Sequence, residues 1–169
     1  PLMGLLAGLA LATAAAATPP PCGPEALGTS RTLTLARTAG AWGTAQHPPL
    51  PGLGPREVVL TFDDGPRPES TPQVLQALAA QCVQATFFMN GEPMARHPAL
   101  ARQVRDAGHS VGMHGFRHDN FAQLPAEDQG RDLQRMIATY TAVLGDAPPA
   151  YRFPFLAESP PLMQALDRL

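Results

Sequence analysis

The chain has 169 residues, 44% of them hydrophobic, which is enough apolar material for one domain with a buried core and excludes wholesale disorder. Its formal net charge of −2 provides no field to gather nucleic acid or an anionic membrane surface, so electrostatics names neither as a partner. All 12 basic residues are arginines, a compositional bias to which we attach no function.

Residues 1–17 carry no charge and fall short of the roughly 20 apolar residues that a stable membrane span needs. Small residues crowd the end of this segment and Pro19-Pro20-Pro21 follows, which is the texture of a secretory signal near its cleavage point. Such a signal opens with Met and a basic stretch, so this one reads as missing its start; a buried or interfacial helix is the alternative. The expected location is therefore exported, periplasmic or extracellular. Residues 18–55 are rich in Pro, Gly, Ala and Thr with only short apolar patches, and read as an arm or linker that includes Trp42, the single tryptophan. In an oxidising compartment Cys22 and Cys82 can pair, closing a loop of roughly 60 residues and stabilising the domain by about 4 kcal/mol in the chain-entropy model. Two free thiols are the alternative.

From 56 to 169 the pattern changes to alternating strands and helices. An apolar, β-branched run predicts a strand over 57–62; Ser70 and Pro72 open a helix over 70–81, with Val74, Leu75 and Leu78 on one face. A second strand is expected over 85–89, a helix from about 98 to Gly108, and a third strand over 109–113. The clearest helix spans 125–144, where Leu133, Met136, Ile137, Tyr140 and Leu144 recur at three and four and Gly145 stands at the stop. A fourth strand follows over 150–153, then a helix from Ser159 that runs to Leu169. This order implies an α/β fold on a parallel sheet, and four units are too few to close a barrel, so the domain reads as cut at both ends.

Two carboxylates, Asp63 and Asp64, stand side by side at the end of the first apolar run. Adjacent acids beside a core need a cation, a proton donor or open water, because desolvating charge is costly. His114 and His118, four residues apart, supply imidazoles that can reach one ion if the backbone turns, and imidazole plus carboxylate suits zinc and its neighbours. These groups, and Arg152 with Pro154 and Phe155, all follow predicted strands, the end at which parallel α/β folds assemble active sites. Taken singly each has an ordinary explanation: a solvated Asp-Asp-Gly-Pro turn, a surface arginine lying over apolar chain, a hydrogen-bonded histidine. That last reading is the one expected for His47, His97 and His109. Taken together they point to a metal-dependent hydrolase.

Four segments in order, Thr61-Phe62-Asp63-Asp64-Gly65-Pro66, Ala85-Thr86-Phe87-Phe88-Met89-Asn90-Gly91, Val111-Gly112-Met113-His114-Gly115-Phe116-Arg117-His118 and Arg152-Phe153-Pro154-Phe155, resemble the motifs of the polysaccharide deacetylase family, the NodB homology domain. The resemblance covers about residues 57–156 and implies a deformed (β/α) barrel of the NodB type, truncated on its C-terminal side. It implies an enzyme that removes N-acetyl groups from amino sugars of a chitooligosaccharide, peptidoglycan or exopolysaccharide. Ester hydrolysis of O-acetyl groups on xylan-like glycans, and a silent glycan-binding module, are the alternatives; retention of Asp63 argues against the last. By resemblance Asp63 is the general base, Asp64, His114 and His118 hold Zn2+ or another divalent metal such as Co2+, Arg152 positions the base, and the Phe155 N–H assists the oxyanion. The expected partner is a polysaccharide or oligosaccharide substrate. Two positions depart from the family pattern: Gly115 stands where Ser or Thr is usual, and Asp119 where Pro is common. The family's later motifs, including the histidine that protonates the leaving amine, have no counterpart before Leu169, so the chain as given is expected to be inactive.

Overall fold

The computed structural model of the chain describes residues 22–36, 40–43 and 46–169. Three parallel strands, β1 (Thr61–Asp63), β2 (Thr86–Met89) and β3 (Ser110–Met113), lie in the order β1-β2-β3. Five helices accompany them: α1 (Thr71–Ala80), α2 (Gly91–Arg96), α3 (Pro98–Asp106), α4 (Ala126–Leu144) and α5 (Pro160–Leu166). The register sets Phe62 beside Phe87 and Phe87 beside Val111, so aromatic and branched side chains line one row across the sheet. Phe87, Met89, Val111 and Met113 are buried against Leu75 and Leu78 of α1, Ala101 and Val104 of α3, and Leu133, Met136, Tyr140 and Leu144 of α4. Each large side chain in that set stabilises the domain by about 1.5–3 kcal/mol through apolar burial. α4 ends where Gly145 takes a left-handed conformation, φ 85°, and donates its N–H to the Thr141 carbonyl at 2.9 Å.

Four details differ from the sequence expectation. β1 begins at Thr61 rather than 57, and Val58, Val59 and Leu60 are exposed, because the ladder to β2 starts with the Thr86 N–H on the Leu60 carbonyl and nothing pairs the chain before it. The strand expected over 150–153 is a single bridge, Tyr151 beside Met113, carried by two hydrogen bonds, Met113 N–H to Ala150 O and Arg152 N–H to Met113 O. Pro148, Pro149 and Pro154 cannot donate, so the pairing stops there. α2 was not anticipated, since six residues are too few for a periodic stripe. α5 ends at Leu166, short of the last residue.

No regular element lies between 22 and 60 among the described residues, yet this arm is fastened to the domain. Cys22 and Cys82 form a disulfide with their Cα atoms 6.0 Å apart. Beside it Gly28 N–H donates to the Gln81 carbonyl at 2.9 Å and Gln84 N–H to Thr29 Oγ1 at 2.6 Å. Further along, Arg31 pairs with Glu57, whose carboxyl is held down to about 2 by the Arg31 hydrogen bond and by the Gly54 N–H. No helix among the described residues is long and apolar enough to cross a membrane, and the expected signal segment at 1–17 lies outside them.

Reducing the disulfide should lower unfolding stability by about 4 kcal/mol, read as a shift in the urea midpoint with and without reductant, and a Cys22→Ser, Cys82→Ser protein should match the reduced form. The arm carries its own pH signature. A carboxylate whose folded pKa lies below its unfolded value stabilises the fold above the unfolded value, and that contribution is lost as pH falls toward 2. The Glu57 carboxyl resonance should titrate near 2, and Arg31→Gln should return it toward the ordinary glutamate range.

Candidate active site

β1 delivers both acids. Side chains alternate along a strand, so Asp63 and Asp64 would point apart if the strand continued. Asp64 instead adopts a left-handed conformation, φ 71°, followed by a cis peptide between Gly65 and Pro66, and the turn brings both carboxylates to the carboxyl end of the sheet. His114 leaves the end of β3 and is buried; His118, φ 63°, returns toward it around Gly115, φ 74°. The imidazole centroids are 5.1 Å apart.

The two acids have different partners. Asp63 Oδ1 accepts from Arg152 Nη1 at 2.8 Å, and the same nitrogen lies 2.9 Å from Thr61 Oγ1. The Arg152 guanidinium stacks over the Phe88 ring, 4.1 Å from its centroid. A Cβ at Gly112 would come within 2.8 Å of that ring, so the glycine makes room for the phenylalanine that supports the arginine. Asp64 Oδ1 lies 3.5 Å from His114 Nε2 and 3.1 Å from His118 Nε2. Asp63 Oδ2 is 4.0 Å from His114 Nε2.

One ligand atom from each of Asp64, His114 and His118 lies within 4.8 Å of the others, a spacing one cation can span. The protonation pattern fits such an ion. His114 Nδ1 sits 2.8 Å from the Arg152 carbonyl, which only accepts, so the ring proton is on Nδ1 and the Nε2 lone pair faces the carboxylates. Burial, the largest influence, keeps this imidazole below its ordinary pKa and therefore neutral. Asp64 Oδ1 is itself shielded and has no hydrogen-bond partner. Lone pairs facing lone pairs around an unsatisfied buried oxygen are stabilised by a cation between them.

Residues that the sequence motifs did not single out hold the loops in place. Asn90, buried at the end of β2, donates Nδ2 to the His114 carbonyl at 2.5 Å and, at 3.5 Å, to that of Gly115, while its backbone N–H reaches the Gly65 carbonyl at 3.1 Å. It thus ties the acid turn to the histidine loop. Its position directly after β2, within one of the quoted motif segments, was the available signal. Asp132 of α4 accepts the N–H groups of Phe116 at 2.8 Å and Arg117 at 3.4 Å. These bonds shape the loop without the Ser or Thr that Gly115 replaces. A Cβ at Gly115 would also stand 3.2 Å from Phe121 and Pro154, in a backbone region that glycine tolerates best. Asp119 makes no hydrogen bond to either imidazole among the described residues. His109 Nδ1 accepts from Ala85 N–H at 3.2 Å and His47 lies 2.5 Å from Glu158, both away from the acids.

Asp63, Asp64, His114 and His118, with Phe153, Phe155 and Leu156, line an open pocket of about 190 Å³. The Phe155 ring meets His118 edge-on at 4.5 Å, and Phe155 itself has φ 59°. A family model described as polysaccharide deacetylase matches residues 51–169. The chain belongs to that family. It is 34% identical over 99 residues to a peptidoglycan-N-acetylglucosamine deacetylase of Bacillus cereus, a match covering 59% of this chain and 36% of the relative. It is 40% identical over 83 residues to a chitooligosaccharide deacetylase of Rhizobium leguminosarum bv. trifolii, covering 49% and 39%. The solved Bc1960 peptidoglycan N-acetylglucosamine deacetylase superposes with a TM-score of 0.64 at 29% identity, over 66% of this chain and 52% of that one. The match therefore spans little more than a third of either curated relative, and about half of the solved one. The α/β fold of the described residues is accordingly part of the deformed barrel of the deacetylases.

Asn90→Asp exchanges a donor for an acceptor in front of two carbonyls with no change of size. It should cost about 3 kcal/mol of stability, the price of a buried charge facing oxygens, measured by urea unfolding.

Proposed function

We propose that this chain supplies the base and the metal ligands of an exported deacetylase that removes N-acetyl groups from amino sugars of a polysaccharide. The observation that carries the reading is the pairing of Asp63 with Arg152 immediately beside the Asp64, His114 and His118 cluster. The disulfide supports export, because such bonds persist in oxidising compartments. The names of the two curated relatives support an N-acetylated glycan as the substrate class.

A divalent metal held by Asp64, His114 and His118, zinc or cobalt by donor type, would supply Lewis acidity toward the acetyl carbonyl and lower the pKa of a nearby water. The residues of the chain do the rest. Arg152 occupies Asp63 Oδ1 and leaves Oδ2 facing the cluster, where it can take the proton of the attacking water. Attack on the acetyl carbon places negative charge on the carbonyl oxygen, and the Phe155 N–H at the pocket wall is the proposed donor to it; one such donor is typically worth about 3 kcal/mol. The sugar nitrogen takes up the proton drawn from the water as the C–N bond breaks, giving acetate and a free amine on the sugar. His114, with its proton fixed on Nδ1 by the Arg152 carbonyl, keeps Nε2 unprotonated throughout.

The test is amine release from chitooligosaccharides by the protein expressed from its natural gene, with zinc or cobalt added and again with chelator, alongside metal content by mass spectrometry. Asp63→Asn should retain a full equivalent of metal and lose at least about a hundredfold in turnover, whereas folded His114→Ala should lose the metal itself. Full zinc retention by His114→Ala would overturn the ligand assignment. Undiminished turnover by Asp63→Asn would overturn the base.

A further inference from the structure

A second groove adjoins the pocket and shares its residues Asp64 and His118; its remaining polar wall is Arg67, Asn90, Glu92 and Arg117. The charges in it are unevenly satisfied. Glu92 is committed to Arg96 one helical turn on, at 2.5 Å, and Asp64 is turned toward the imidazole nitrogens of the cluster. Arg67 and Arg117 are exposed and, like Arg56, Arg102, Arg135 and Arg168, have no carboxylate within 4.0 Å among the described residues, but of these six only Arg67 and Arg117 line the groove. Asp132 of α4, which braces this loop, is occupied by the N–H groups of Phe116 and Arg117. The backbone beneath both arginines is nevertheless fixed. Arg67 N–H donates to Thr71 Oγ1 at 2.8 Å at the start of α1, and Arg117 lies within the loop that Asn90 and Asp132 brace. Two unpaired guanidiniums on a braced wall, opening directly onto the cluster, form a receptor for planar anions.

We propose that this groove is a subsite for a carboxylate carried by the glycan next to the sugar that reacts, so that the enzyme selects anionic N-acetylated chains over neutral ones. The proposal rests on the deacetylase reading for the identity of the chain that occupies the groove. The carboxylate could be a lactyl ether on the neighbouring ring or a uronic acid; both present the same planar pair of oxygens to Arg67 and Arg117. The groove is too polar to favour an apolar aglycone, and its acid Glu92 is already paired with Arg96.

Binding is measured by calorimetry on Asp63→Asn protein, so that no probe is consumed. The probes are a disaccharide of N-acetylglucosamine, the same disaccharide bearing a lactyl ether, the methyl ester of that lactyl compound, and a disaccharide of N-acetylglucosamine with a uronic acid. The lactyl acid or the uronic acid, whichever is the natural arm, should bind about tenfold more tightly than the ester and the neutral disaccharide. A second substitution set, Arg67→Gln with Arg117→Gln, should erase that preference while leaving affinity for the neutral disaccharide unchanged. Both positions are exposed, so folding is not at issue, and Arg117→Lys should retain part of the preference. Equal binding of acid and ester, an undiminished preference in the double variant, or no measurable binding of any probe would overturn the subsite. Amine release from the neutral disaccharide by the unsubstituted protein, expressed from its natural gene, reports on the deacetylase reading separately. A carboxylate preference without amine release would sustain the subsite and sink only that reading.

Discussion

Arg152 is the residue on which both halves of the site depend, and it acts through three different groups. Its N–H closes the bridge to β3 by donating to the Met113 carbonyl, its own carbonyl accepts from His114 Nδ1–H, and its guanidinium holds Asp63 while lying on Phe88. The backbone groups therefore orient a metal-side imidazole and the side chain orients the acid beside it. Because the N–H and carbonyl belong to the main chain, the position of the segment matters more to His114 than the identity of the residue does. For Asp63 the reverse holds. Because both contacts run through one residue, but through separable atoms, the distance between Asp63 and the cluster is tied to the bridge that attaches 150–153 to the sheet.

The loops at the ends of the strands would not keep their shape from strand pairing alone, since β1 to β3 are three or four residues long. What fixes them is a set of hydrogen bonds running across the strand ends: Asn90 to the turn after Asp64 and to the loop after His114, and Asp132 from α4 to the same loop. Burial raises the Asp132 carboxyl above its ordinary pKa, while the two N–H groups it accepts hold it down. An acid half-buried under a loop is tolerated because it satisfies two backbone donors that would otherwise face apolar side chains. Gly115 fits this account. The residue that would have supplied a hydroxyl at that position is replaced by one that lets the chain take φ 74°, and bracing from α4 does the shaping instead.

Much of this was legible in the sequence because periodicity and turn chemistry act locally. The stripe from Leu133 to Leu144 and the αL stop at Gly145 mark α4 to within a residue, and the alternation of strands with helices indicates the parallel sheet. The positions of Asp63, Asp64, His114 and His118 at strand ends were legible for the same reason, and the structure brings all four to one pocket. What was hidden depends on contacts between distant segments. Nothing local tells that Asn90 faces two carbonyls rather than water, or that α2 is helical when it offers no stripe. The short β1 and the single bridge at Tyr151 were misread because an apolar run pairs only where a neighbour is present.

The neighbouring acids at the end of β1 also show how identical side chains come to differ. Asp63 has one oxygen filled by a guanidinium, which leaves a single oxygen toward the pocket. Asp64 has an oxygen that is shielded, unsatisfied and aimed between two imidazole nitrogens. A carboxylate that is already neutralised gains little from a cation and retains its capacity to accept a proton; one without a partner gains most from a cation and has no guanidinium to compete with it. The environments thus support opposite roles for two residues that differ by one position, and the left-handed turn at Asp64 is what places them in those environments.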